Sequence, residues 1–247
     1  MSDKKTAVIT GASAGIGAAT AVALARAGFH TIIGARREKR LQRVAETTGG
    51  QYRCLDVTDP TSVETFVADL DRVDVLVNNA GGALGMHLVQ EAPEDRWREM
   101  WELNFLSIVR MTKALLPALL ASGDGLIVNV GSVAGFETYA RGGGYTGAKH
   151  AVRALTKTLR LELLGKPIRI TEINPGLVQT EFSWVRFDQD KSKAMAVYQD
   201  MTPLTGEDIA ESIVWVATRP SHVNIDEMVV RPRDQATATL VSRGGED

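Results

Sequence analysis

Short runs of apolar and β-branched residues alternate along this chain with longer stretches whose apolar positions recur at helical spacing. Thr6–Thr10, His30–Gly34, Gln51–Asp56, Val73–Val77, Leu126–Val130, Ile168–Ile173 and Glu227–Arg231 predict strands. Between them, Gly17–Ala27, Arg37–Thr47, Pro60–Leu70, Tyr145–Leu164 and Glu207–Thr218 predict helices. Pro93 to Ala121 predicts a long helical region, broken near Asn104 and bent at Pro117. The strand runs are apolar throughout rather than alternating, as in strands buried on both faces. Such strand–helix alternation winds right-handed crossovers into a parallel sheet covered by helices on either side. The expected fold is a single α/β domain over 1–247, a doubly wound Rossmann-type sandwich. Residues 179–203 are too long for a plain connector and predict a lid.

Composition narrows the functional classes. The 247 residues are 44% hydrophobic and 23% charged, ample for one sizeable core, and no Pro- or Ser-rich linker divides them. A formal charge of −2 offers no global field for nucleic acid or an anionic membrane. No apolar run approaches the roughly 20 residues needed to span a bilayer. The opening Met1-Ser2-Asp3-Lys4-Lys5 leads straight into a strand, unlike a secretory leader. Cys54 stands alone, which excludes an internal disulfide and suits the cytoplasm. His30, His87, His150 and His222 are scattered without ligand spacing, so no metal is expected.

Candidate chemistry begins directly after the first strand. Thr10-Gly11-Ala12-Ser13-Ala14-Gly15-Ile16-Gly17 is a strand–glycine turn–helix unit, which places free backbone N–H groups and a positive helix end where a pyrophosphate can sit. The alternative is a glycine turn used only for packing. The second strand ends in Gly34-Ala35-Arg36-Arg37, where an NAD site would carry an acid for the ribose 2′-hydroxyl. A guanidinium at that place binds a 2′-phosphate instead. NADP is therefore the expected cofactor, with Arg36 the leading contact, Arg37 second and Ser13 a helper, unless both arginines simply solvate a helix start. Asp56 is placed to hydrogen-bond the adenine amino group, or else to cap the next helix.

Thr10–Gly17, Asn78-Asn79-Ala80-Gly81, Asn104, Ser132, Tyr145-x-x-x-Lys149 and Pro175-Gly176 occur in an order that resembles the short-chain dehydrogenase/reductase family, from about residue 5 to residue 232. A narrower likeness runs through Asn78–Met86, Pro175–Phe187 and Val223–Met228. These segments are similar to NADP-dependent 3-hydroxy acid dehydrogenases, also described as serine or allo-threonine dehydrogenases. The resemblance implies cofactor contacts from Gly11, Ser13, Gly15, Ile16 and Gly17, and from Asp56 and Val57. It implies further contacts from Asn79, Ala80 and Gly81 after the fourth strand, and from Pro175, Gly176, Val178 and Thr180 on the nicotinamide side. Tyr145 and Lys149 belong to both the cofactor and the catalytic sets. Two departures stand out: Gly142-Gly143-Gly144 is unusually loose, and the tail after Pro232 matches nothing in the family pattern.

Tyr145 and Lys149 are four apart on one helix face. Bringing a phenol from a pKa of about 10 to roughly 7.5 needs about 3.4 kcal/mol. One ammonium about 4 Å away, helped by the nicotinamide cation in the oxidised complex, supplies on the order of 4 kcal/mol at an effective dielectric of 20. The implied mechanism is hydride delivery from NADPH to a carbonyl carbon with proton donation by Tyr145. Ser132 orients the carbonyl oxygen, although alone it would read as a strand-end turn residue. Lys149 keeps the tyrosine acidic and binds the nicotinamide ribose, and Asn104 holds a water or caps helical backbone. Arg186 or Arg141 would anchor a substrate carboxylate, the alternative being solvated surface arginines. The expected function is thus carbonyl–alcohol interconversion on a small 3-hydroxy or 3-oxo acid. A reductase for another ketone or aldehyde is the nearest rival, and a silent NADP-binding regulator the rival of another class. The resemblance also implies a homotetramer built through Phe105–Ala121 and Tyr145–Leu164.

Overall fold

A computed structural model describes residues 4–244; Met1–Asp3 and Gly245–Asp247, which the leader and single-domain readings include, lie outside them. Seven parallel strands form one sheet in the order β3-β2-β1-β4-β5-β6-β7. They are β1 (Thr6–Thr10), β2 (His30–Ala35), β3 (Gln51–Cys54), β4 (Val75–Asn78), β5 (Gly125–Val130), β6 (Ile168–Pro175) and β7 (Glu227–Val230). The helices are α1 (Gly15–Arg26), α2 (Glu38–Thr48), α3 (Pro60–Val67), α4 (Glu94–Trp101), α5 (Ser107–Ala121), α6 (Gly143–Glu162), α7 (Phe182–Arg186), α8 (Lys191–Ala196) and α9 (Gly206–Ala217). The doubly wound sandwich expected from the sequence is the fold observed.

Alternate strand residues feed two cores, as the strand period of two requires. Ala7 and Ile9 pack toward Leu24 of α1, Leu41 of α2 and Ile213 of α9. Val8, Leu76 and Ile127 pack toward Phe66 of α3, Met111 and Leu115 of α5 and Leu159 of α6. Strand β3 departs from the expectation of apolar strands. Its Gln51, Tyr52 and Cys54 are exposed, because it is the edge strand and has no neighbour beyond it. It also ends at Cys54, so Asp56 lies in the following loop.

The long helical region is continuous where a break was expected. A π-helical turn over Glu102–Leu106 joins α4 to α5, so the Asn104 region widens without breaking. The joined helix, Glu94–Ala121, contains an 18-residue window of mean hydropathy 1.4. By length and composition alone it could cross a bilayer, as the core helix of a globular fold also can. Its Met111, Leu115 and Leu119 are nevertheless buried in the second core. The run Gly142–Gly144 is tightly packed, not loose. A Cβ on Gly144 would lie 2.3 Å from the Met100 Cε atom, the far end of a flexible side chain, so α6 begins close against α4.

Candidate active site and dinucleotide cleft

The winding direction reverses between β1 and β4, and the carboxyl ends of strands at such a reversal leave a crevice. A cleft of about 800 Å³ opens there. Its walls include Gly11, Ser13, Gly15 and Ile16 after β1, Arg36 and Arg37 after β2, and Asp56 and Val57 after β3. Asn79, Ala80 and Gly81 follow β4, and Pro175, Gly176, Val178 and Thr180 come from the loop after β6. Ser132, Tyr145 and Lys149 stand on the same wall. Of the residues picked out from the sequence as catalytic or cofactor-binding, Gly17 and Asn104 alone lie behind the surface. The Thr10 hydroxyl accepts hydrogen bonds from the backbone N–H groups of Asn79 and Ala80, both 3.0 Å. The Asn79 amide donates back to the Thr10 carbonyl at 2.9 Å. These contacts tie the two loops flanking the crevice. Gly17 is where that tie is tightest, since a Cβ on it would meet the Asn79 amide nitrogen at 2.4 Å.

Tyr145 sits at the start of α6, buried between Phe182, whose ring is edge-on at 5.4 Å, and the end of β5. Burial pushes the phenol well above its ordinary value and the nearby Tyr139 adds to this, while a hydrogen bond with Ser132 and the charge of Arg186 act the other way. This burial opposes the acidification expected from Lys149 together with the nicotinamide cation. The Lys149 ammonium is 5.7 Å from the centre of the Tyr145 ring and donates to the Val130 carbonyl at 2.8 Å. Burial lowers Lys149 to about 8, partly offset by the carboxylate of Glu172 on β6. Desolvation of both groups thus outweighs one point charge.

Asn104 takes the backbone role. Its amide donates to the carbonyls of Gly82 and Met100, both 2.8 Å, and its oxygen accepts from the Gly82 N–H at 3.0 Å. The side chain thus bridges the π-helical turn and the loop after β4, beneath Gly81. Ser132 presents its hydroxyl to the cleft while its backbone N–H donates to the Asn174 side chain at 2.9 Å.

At the opposite end, Arg37 donates to the Ser13 hydroxyl at 3.0 Å and pairs with Glu181 at 2.6 Å. Arg40, which sequence reading did not single out, pairs with the other Glu181 oxygen at 2.5 Å. Arg36 lines the same end without an ion pair among the described residues. Asp56 does not cap α3; Asp59 does. Instead Asp56 accepts from the Thr58 N–H at 3.0 Å and hydroxyl at 2.7 Å. Its burial is outweighed by these bonds and by the charge of Arg36, and the carboxyl stays below its ordinary range.

The 179–203 segment is irregular only in part, since it contains α7 and α8. From α7, Arg186 reaches Tyr139, donating to its hydroxyl at 3.0 Å, while its buried Nε has no partner among the described residues. Arg141 lines a smaller recess beside the cleft, shared with Arg186, His87 and Trp97. The tail also joins the site. Gln235 is buried and accepts from the Leu177 N–H at 2.8 Å, and Ala238, Thr239, Val241 and Arg243 complete the cleft wall. Nothing in the tail's composition marks this, because the contacts are set by where the chain returns after β7. The whole cleft fits a phosphorylated dinucleotide, with a glycine cradle, Arg36 and Arg37 at one end and the Tyr145–Lys149–Ser132 set at the other.

The short chain dehydrogenase family profile matches residues 5–191. An uncharacterized oxidoreductase of Mycobacterium tuberculosis is 58% identical over 236 residues, covering 96% of this chain and 94% of its own. The NADP-dependent 3-hydroxy acid dehydrogenase of Schizosaccharomyces pombe is 42% identical over 252 residues, covering 98% and 97%. Among solved structures, the closed form of a serine dehydrogenase complexed with NADP+ superposes with a TM-score of 0.91 at 39% identity, covering 96% of this chain and 99% of that one. The profile match and these full-length similarities place the chain in the short-chain dehydrogenase family.

Proposed function

We propose that the chain is an NADP(H)-dependent oxidoreductase interconverting the carbonyl and alcohol forms of a small 3-hydroxy or 3-oxo acid. The observation that carries the acid preference is the Arg186 guanidinium, held by Tyr139 beside Tyr145 with one buried N–H donor unspent. A buried donor without a partner costs free energy that a bound carboxylate would recover. Family membership and the names of the relatives support the rest.

When bound, the dinucleotide supplies the hydride. Tyr145 gives its phenolic proton to the substrate oxygen in reduction and takes it back in oxidation. The Ser132 hydroxyl holds that oxygen within reach of the phenol. Lys149 keeps positive charge beside the tyrosine ring, and Asn104 fixes the loop after β4 against α4. Arg186 turns the substrate by its carboxylate so that the carbonyl meets Tyr145. The segment 179–203, with α7 and α8, acts as the lid over this arrangement.

The nicotinamide absorbance band provides the test, followed with NADPH and, separately, NADH against malonic semialdehyde and a panel of neutral ketones and aldehydes. NADPH oxidation is expected to exceed NADH oxidation and to favour the acid. Arg186→Ala is expected to raise KM for the acid about 10- to 100-fold, the loss of one charge-assisted pair, with little change for neutral carbonyls. An unchanged KM for acids in this variant would remove Arg186 as the anchor. Turnover of neutral ketones alone would shift the substrate class.

The same reading makes the protein a cytoplasmic homotetramer built on the outward faces of Phe105–Ala121 and Tyr145–Leu164. Leu161 on the second is 78% exposed, and Trp101, just before the first with its ring 4.5 Å from that of Phe105, is 41% exposed. Light scattering on a sizing column is expected to give four times the 26.7 kDa chain mass. A monomer at micromolar concentration would refute it.

A further inference from the structure

The arginine-lined end of the cleft already contains an anion. Both oxygens of Glu181 are engaged, one by Arg37 at 2.6 Å and one by Arg40 at 2.5 Å. Arg37 also donates to the Ser13 hydroxyl, so its guanidinium has one edge on the glycine turn and one on Glu181. Glu181 directly precedes α7, at the near end of the segment read as the lid. Arg37 and Arg40 belong to the start of α2, on the far side of the cleft. The pair of bonds therefore spans the cleft from lid to sandwich. A carboxylate in a two-arginine fork has the charge sign and oxygen spacing of a phosphate edge.

We propose that Glu181 is a cofactor-specificity residue that holds the 2′-phosphate place, and that a 2′-phosphate takes Arg37 from it and so loosens the lid, leaving Arg40 as its one tie to α2. Two anions cannot share one guanidinium edge without repulsion, so occupancy by the phosphate and by Glu181 oppose each other. An NAD-like ligand, with a neutral hydroxyl at this place, leaves the Glu181 bonds intact. Glu181 thereby couples the identity of the adenosine end to the lid, and through the lid to the end of the cleft where Arg186 lies. The cost falls on binding and the gain on discrimination. A ligand without the phosphate has nothing with which to displace the carboxylate.

Adenosine 2′,5′-bisphosphate is the probe, with adenosine 5′-diphosphate as control, because neither has a nicotinamide that could touch the lid directly. By titration calorimetry, Glu181→Gln is expected to tighten the 2′,5′-bisphosphate about two- to fivefold, the size of a half-exposed ion pair released, and to leave the diphosphate unchanged. Trypsin cleavage after Lys191 and Lys193 reads the lid. The 2′,5′-bisphosphate is expected to change the cleavage rate in the wild type and not in Glu181→Gln. Unchanged or weaker 2′,5′-bisphosphate binding in the variant, equal tightening of both ligands, or the same cleavage response in both proteins would each overturn the proposal. A wild type that bound the two ligands equally would overturn the placement of the 2′-phosphate as well, whatever the variant did.

Discussion

Tyr145→Phe is expected to lower kcat for carbonyl reduction by about 10²- to 10⁴-fold, the usual contribution of a positioned proton donor. The same variant is expected to bind NADPH within about twofold of the wild type. The substitution keeps the ring, which packs edge-on against Phe182 at 5.4 Å, and removes only the hydroxyl. Loss of one hydroxyl that hydrogen-bonds Ser132 costs about 1 kcal/mol at most. For a chain of this length that is a melting shift of about 2–4 °C. Activity and stability thus separate, which a merely structural tyrosine would not allow. The phenol itself provides a second readout. Burial holds it above its ordinary value in the cofactor-free chain. Alkaline absorbance titrations of wild type and variant are therefore expected to coincide up to about pH 10. With NADP+ present, the wild type alone is expected to gain tyrosinate at lower pH, because the added positive charge joins that of Lys149. Equal titration curves with and without NADP+ would show that the cofactor does nothing to the phenol.

That tyrosine shows where a sequence reading reaches and where it stops. The spacing of Tyr145 and Lys149 on one helical face follows from helix geometry, and the structure has both on the cleft wall. What the spacing does not carry is the burial of both partners and the Val130 carbonyl to which the ammonium donates. The sheet was legible for a related reason: β1, β4 and β5 are buried on both faces and read as apolar runs. Edge strand β3 was overextended, since the buried Leu55 reads as strand but lies in the following loop. Asn104 announced itself as a helix interruption, yet the chain accommodates it as a π-helical turn, a choice set by contact with Gly82 rather than by local propensity. Glu181, Arg40 and Tyr139 were missed for one reason. Their partners lie 144, 141 and 47 residues away along the chain, and no local pattern encodes such a pairing.

Gly17→Ala is expected to destabilise the protein by about 3 kcal/mol, the upper end of the range for overpacking, and to weaken NADPH binding at least about tenfold. A Cβ at this position would stand 2.4 Å from the Asn79 amide nitrogen and 2.6 Å from the Gly11 carbonyl oxygen. Neither neighbour is free to retreat. The Asn79 amide is bound to the Thr10 carbonyl at 2.9 Å, and Gly11 is backbone with a φ of 68°. Any shift that admits the methyl group must separate the two loops that flank the crevice, so the stability loss and the affinity loss share one cause. Gly28→Ala is the control. That residue has a φ of 94° and nothing within 4 Å of its would-be Cβ, so it should show left-handed backbone strain alone, about 1–2 kcal/mol. Thermal melts and NADPH titrations of the two variants are expected to diverge in a specific way: Gly28→Ala loses some stability and keeps its affinity, while Gly17→Ala loses both. Normal NADPH affinity in Gly17→Ala would mean that the tie between Asn79 and the glycine turn is not what shapes the cradle.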